Sequence, residues 1–151
     1  AISKNATTGA ITEITTYGGA PVSLSDGDVT LTNATHSGRV LLVPDGGQDN
    51  TYTLPAPIAG SVFRFVYAGG AADGTDALIV TPGNTNFYIG GVTFLDTDNE
   101  VSAVFSDGNS NSSIQINVPA GFDVSIVGLN TTNYQIFGTV TGATAPVFAD
   151  Q

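Results

Sequence analysis

The sequence predicts an all-β protein: an antiparallel β-sandwich or jelly-roll-like barrel, with extended N- and C-terminal segments. Three observations carry this reading. Short runs of alternating apolar and polar residues follow one another, with turn signals about every ten residues, the spacing of sandwiches and small barrels. Seven prolines and 19 glycines punctuate the chain, and no long stretch of helix formers intervenes. The stretch from Thr51 to Ala68 shows the pattern most clearly. Its strand Val62 to Tyr67 puts Phe63, Phe65 and Tyr67 on one face and Val62, Arg64 and Val66 on the other. An aromatic face of that size has to be covered by a second layer.

At 151 residues the chain fits one domain able to bury about two-thirds of its unfolded surface. Charged residues make up 11% and apolar residues 41%, so the composition is that of a folded chain. Three Lys and Arg stand against 13 Asp and Glu, for a net charge of −10. Such a chain is repelled by phosphate backbones and anionic lipid surfaces, which argues against nucleic-acid and membrane-surface partners. With no cysteine there is neither a disulfide framework nor a thiolate nucleophile or metal ligand. No apolar run approaches the 18 or so residues of a membrane-spanning helix.

Residues 1–24 form the first predicted segment, an N-terminal arm without sustained periodicity, carrying Ile2, Ile11, Ile14 and Val22 and closing on Gly18-Gly19-Ala20-Pro21. The sandwich is expected over residues 25–140. Val29 to Thr32 and Gly38 to Val43 open it, and Pro44-Asp45-Gly46-Gly47 makes a proline-led turn. Tyr52 and Leu54 alternate with threonines. Pro55 and Pro57 lack an amide donor and mark a corner between strands rather than a strand interior. Ala77 to Thr81 is the next strand, stopped by Pro82-Gly83. Phe87 to Ile89 and Val92 to Leu95 flank Gly90-Gly91, a pattern that fits a hairpin or a bulge. Val101, Ala103 and Phe105 alternate with Ser102 and Val104, and Ile114 to Val118 has one apolar and one amide face. Pro119-Ala120-Gly121 turns into Phe122 to Val127, and Asn133 to Val140 is the last strand. Phe63, Phe65, Leu78, Phe105, Ile116, Val124 and Ile136 are the expected core. Residues 141–151 are read as an extended apolar tail bearing Val147 and Phe148.

Chemistry-bearing motifs are sparse. The single His36 lies in a polar turn beside Ser37, where sequence neighbours rarely reach triad geometry. Asp96, Asp98 and Glu100 alternate as Ca²⁺ ligands do, but Val101 stands where an EF-hand loop needs glycine, and a plain acidic turn is expected. Asp26-Gly27-Asp28 and Asp73-Gly74-Thr75-Asp76 are weaker versions of the same pattern. No phosphate-binding loop or dinucleotide fingerprint is present. The expectation is therefore no catalytic residues, no metal site, no cofactor and no enzymatic activity.

The order Val29-Thr30-Leu31-Thr32, Gly38-Arg39-Val40-Leu41-Leu42, then Tyr52-Thr53-Leu54-Pro55-Ala56-Pro57-Ile58-Ala59-Gly60-Ser61-Val62-Phe63-Arg64-Phe65-Val66 resembles the capsid decoration (cement) proteins of tailed bacteriophages. Those of marine and cyanobacterial phages are the nearest likeness. Ile89-Gly90-Gly91 and the closing Thr144 to Gln151 extend the resemblance, which covers residues 29 to 92 and the last dozen. It implies a non-enzymatic virion structural protein, made in the host cytoplasm and bound to the major capsid protein on the capsid surface. It also implies a symmetric homo-oligomer, with a homotrimer favoured. The residues expected at its partner interface are Ile2, Ile11, Ile14, Val147 and Phe148, which a self-contained sandwich would leave over. A carbohydrate- or receptor-binding β-module of a tail fibre or cell-surface protein is the alternative, with Tyr17, Tyr88 and Tyr134 as candidate exposed aromatics, although core packing accounts for Tyr88 and Tyr134 more simply. A hydrolase on a jelly-roll scaffold is the third class.

Overall fold

Alternating runs become strands, and prolines and glycines fall between most of them. The computed structural model describes residues 19–70 and 74–151, with the backbones of Ile2–Lys4 and Ile11–Glu13. In chain order the elements are β1 (Ile2–Lys4), β2 (Ile11–Glu13), β3 (Val22–Ser23), β4 (Val29–Thr30), α1 (Asn33–His36), β5 (Arg39–Val43), β6 (Asn50–Thr53) and β7 (Val62–Tyr67). There follow β8 (Ala77–Val80), β9 (Phe87–Asp96), β10 (Val101–Phe105), β11 (Ser113–Ile116), β12 (Pro119–Gly128), β13 (Asn133–Gly142) and β14 (Val147–Ala149). Strands β10-β9-β13-β12-β7-β5-β3 form one sheet and β14-β11-β8-β6-β4 the other, while β1 and β2 pair as a separate hairpin. The all-β sandwich is as expected.

Its wiring differs from the antiparallel expectation. From β3 to β8 the chain changes sheet at every strand, so β3, β5 and β7 lie parallel in one sheet while β4, β6 and β8 do so in the other. Parallel neighbours require a crossover, and here each crossover passes through a strand of the opposite sheet, with the one-turn helix α1 added between β4 and β5. The register links Val22 to Leu41 to Phe65, and Val29 to Tyr52 to Ile79, in steps of unequal length. This flattened coil therefore leaves no fixed repeat in the sequence. The second half is built of antiparallel pairs, joined to itself by the parallel ladder of β13 on β9.

Between the sheets lie Phe63 and Phe65 of β7, Tyr52, Ile79, Tyr88, Ile116, Val124 and Ile136, all fully or almost fully buried. Tyr52 meets Phe65 with ring centroids 6.2 Å apart, and Phe63 meets Tyr134 edge-on at 6.3 Å. Two expected core residues are corrected. Phe105 is 72% exposed, because β10 is an edge strand whose Val101, Ala103 and Phe105 face solvent. Leu78 is only half-buried, since in β8 it is Ala77 and Ile79 that point inward.

Gly90 and Gly91 form neither hairpin nor bulge; both lie inside the unbroken strand β9. The ladder to β13 lapses at Phe137 and Gly138 and resumes at Thr139 in the same register. Here the strands approach too closely for side chains. A Cβ on Gly91 would meet the Val104 carbonyl, and one on Gly138 the Asp123 carbonyl. Glycines on β9 and β13 thus let these strands close onto the backbones of β10 and β12.

Burial sets the titration of the core tyrosines. Tyr88 donates its hydroxyl to the Ile79 carbonyl at 3.1 Å and Tyr134 donates to Pro55 at 2.9 Å. Burial holds Tyr88 well above the ordinary phenol range, pushes Tyr134 up to about 12, and raises Tyr52. A phenol with a raised folded pKa stabilises fully below its unfolded value of about 10 and loses that contribution as pH climbs towards the folded value. In a spectrophotometric titration, Tyr52, Tyr88 and Tyr134 should ionise only above the ordinary phenol range for as long as the protein stays folded. Tyr134 should ionise only near pH 12, and ionisation of the three should accompany loss of the folded structure. Ionisation of all five tyrosines of the chain before any loss of structure would contradict this.

Candidate binding face

Residues of β7 alternate between the core and solvent, so Arg64, between Phe63 and Phe65, stands on the outer face of the seven-stranded sheet. Register places Ser125 of β12 beside it and Asp123 on the diagonal. The guanidinium donates to both carboxylate oxygens of Asp123, Nε to Oδ1 at 2.9 Å and Nη2 to Oδ2 at 2.5 Å. This hydrogen-bonded pairing lowers the Asp123 pKa and raises that of Arg64. Both side chains stay about half exposed, so the pair orients the surface more than it stabilises the fold. Ser125, Phe137, Gly138 and Thr139 complete an open groove of about 360 Å³ around it. At Gly138 the groove runs over bare backbone.

Exposed apolar side chains share this outer face, from Val62 on β7 to Phe105 on the β10 edge. Nine large hydrophobic residues are exposed among the described residues, and five belong to this one face: Val62, Ile89, Val101, Phe105 and Phe137. Phe105 sits opposite Gly91, and Phe137 follows on the next strand with 51% of its surface exposed. These five are gathered on one sheet face rather than scattered over loops.

The other sequence-predicted residues are placed elsewhere. Tyr88 and Tyr134 are core residues, so neither is an exposed aromatic, and Tyr17 lies outside the described residues. Ile2 and Ile11 belong to the β1–β2 hairpin, where Ile2 pairs with Glu13 and Lys4 with Ile11. The side chains of Ile2 and Ile11, and all of Ile14, lie outside the described residues. The segment 141–151 is extended, but it begins inside β13 and docks as β14 on β11. Phe148 is not surplus to the core: its ring packs edge-on against Tyr88 at 6.1 Å, while Val147 is exposed. Gln151 fastens the segment, its Nε2 donating to the carbonyls of Thr81 at 2.8 Å and Ser112 at 3.0 Å.

The acidic motifs serve as backbone clamps. Asp96 Oδ1 accepts from the Asp98 amide at 2.9 Å, closing the β9–β10 turn at Asn99, whose φ is 75°. Asp26 accepts from the Gly47 amide and Asn50 Nδ2, Asp28 from the Thr51 amide, and Asp76 from Gln115 Nε2 and the Val118 amide. Asp73 lies outside the described residues. Among the described residues no three His, Asp or Glu side chains gather around a common point. His36 Nδ1 accepts the amide of Thr32, the N-cap of α1, while the Ser37 hydroxyl accepts the Val62 amide, so the two are occupied separately.

Sequence reasoning missed Phe137, although the signal was present. Gln135 and Thr139 share its parity along β13 and are polar, whereas Tyr134 and Ile136 occupy the other face. No family model, no curated protein and no solved structure matches the chain.

Proposed function

We propose that this chain is a non-enzymatic virion structural protein, a capsid decoration protein that binds the outer surface of a tailed-phage capsid through the major capsid protein. The observation that carries the reading is the outer face of the seven-stranded sheet, which bears five exposed hydrophobic residues and the Arg64–Asp123 ion pair. The likeness of residues 29 to 92 to decoration proteins supports it. A face of this kind suits a protein surface, where apolar contacts supply affinity and the Arg64–Asp123 pair fixes orientation. Ile2, Ile11 and Ile14 would add contacts from an arm, and repetition over an oligomer would raise avidity.

Co-sedimentation with DNA-free capsids of the phage that encodes the chain tests the proposal. Saturable binding is expected, at least tenfold weaker after deletion of residues 1–18. Absence of binding would sink it. A carbohydrate-binding module is the second reading, favoured by Phe137 standing beside the paired Arg64 and Asp123 in the groove. An aromatic ring next to fixed donors and acceptors is what a sugar ring requires. Calorimetric titration with a panel of soluble oligosaccharides distinguishes the two: heat that disappears in Phe137→Ala together with no capsid binding would replace the first reading by the second.

A further inference from the structure

Strand β10 closes one edge of the seven-stranded sheet, and among the described residues nothing pairs with its outer side. Natural edge strands are protected by lysine, proline, a bulge or an inward charge. Val101-Ser102-Ala103-Val104-Phe105 has none of these. It also bears the two most exposed large hydrophobic residues among those described, Phe105 and Val101, both on the outer face.

The direction of its backbone follows from two hydrogen bonds. The Asp96 amide donates to the Glu100 carbonyl, and the Ser106 amide donates to the Gly90 carbonyl. Both belong to the antiparallel register of β10 on β9, so residues 100, 102, 104 and 106 bond towards β9. The N–H and C=O groups of Val101, Ala103 and Phe105 therefore point away from the sheet, at the open edge. That set is symmetric about Ala103.

We infer that β10 pairs antiparallel with β10 of a second copy of this chain, about a two-fold axis at Ala103, joining two seven-stranded sheets into one. In that register Ala103 faces itself and Val101 faces Phe105 of the other copy, twice over. Every outward N–H and C=O of the three residues gains a partner, and cross-strand Cα atoms come to about 5.5 Å. The most exposed aromatic on the face is then covered by the most exposed aliphatic residue. Ser102 faces Val104. At the flanks Glu100 faces Ser106 and Asn99 faces Asp107, so no two carboxylates stand directly opposite each other. This matters because each copy carries a net charge of −10 and repels the other everywhere else. An uncharged edge is where two such copies can meet. The inference does not depend on capsid binding, and a two-fold contact gives a dimer where the resemblance favours a trimer.

Sedimentation equilibrium of the full chain should give twice the 15.3 kDa protomer mass. Association should strengthen as salt rises, since screening removes repulsion and leaves apolar and backbone contacts. Ala103→Pro removes an outward amide without touching the β9 ladder, and should weaken dimerisation at least tenfold while far-UV circular dichroism is unchanged. Because proline also restrains the backbone, Ala103→Cys supplies an independent readout. The chain has no other cysteine, so mild oxidation should cross-link two copies through residue 103, whereas Thr93→Cys on the adjacent strand should not cross-link. A monomer at all salt concentrations, a trimeric mass, or equal cross-linking from residues 93 and 103 would overturn the inference.

Discussion

Phe65→Ala lowers the unfolding free energy by about 3–5 kcal/mol. The ring is fully buried in the middle of β7, with β5 on one side and β12 on the other. It reaches across the interface to Tyr52 of the opposite sheet. Truncation removes the transfer free energy of the ring and leaves a cavity that two hydrogen-bonded neighbours cannot collapse to fill. Urea denaturation should show a lower midpoint with an unchanged m-value. A loss under about 1 kcal/mol would mean that the ring does not tie the sheets together.

Gly138→Ala should cost more than about 3 kcal/mol, the sum of backbone strain and overpacking. Gly138 has φ +141°, a conformation that L side chains rarely adopt. A Cβ there would overlap the Asp123 carbonyl and stand 2.8 Å from Val124 Cα. Those are backbone atoms of β12 and cannot rotate aside. Gly108 provides the control: its φ is +77°, but no atom lies within 4 Å of the added Cβ. Gly108→Ala should therefore cost only the left-handed strain, about 1–2 kcal/mol. Similar losses at the two sites would show that Gly138 is not closely packed against the β12 backbone.

Much of the strand inventory was legible in the sequence, because period-2 alternation and proline act locally. Phe63 and Phe65 were placed inward correctly since β7 is a central strand with both neighbours present. The same rule failed at Phe105. Alternation separates Val101, Ala103 and Phe105 from Ser102 and Val104, but it does not say which set faces inward. At a sheet edge, an apolar set can remain outside. Parallel pairing was invisible for a different reason: a strand's pattern is the same whether its neighbour runs with it or against it. Gly90-Gly91 resembled a turn because glycine marks both turns and close backbone approach, and here it marks the second.

The candidate face was only partly legible. Arg64 and Asp123 lie far apart in sequence and are joined by the register of β7 on β12, which local patterns do not contain. On the sequence alone Phe148 counts as surplus, because residues 25–140 already supply enough strands to close a sandwich. It is held by Tyr88 and by β11, which are tertiary partners.

The outer sheet face around Phe137 is proposed to attach the protein to a capsid shell. Phe137→Ser tests it most directly, because that ring is exposed and its loss should leave the fold intact. In capsid co-sedimentation the substitution should weaken binding at least tenfold, with a melting temperature matching that of the original chain. Unchanged binding by a folded Phe137→Ser protein would contradict the account.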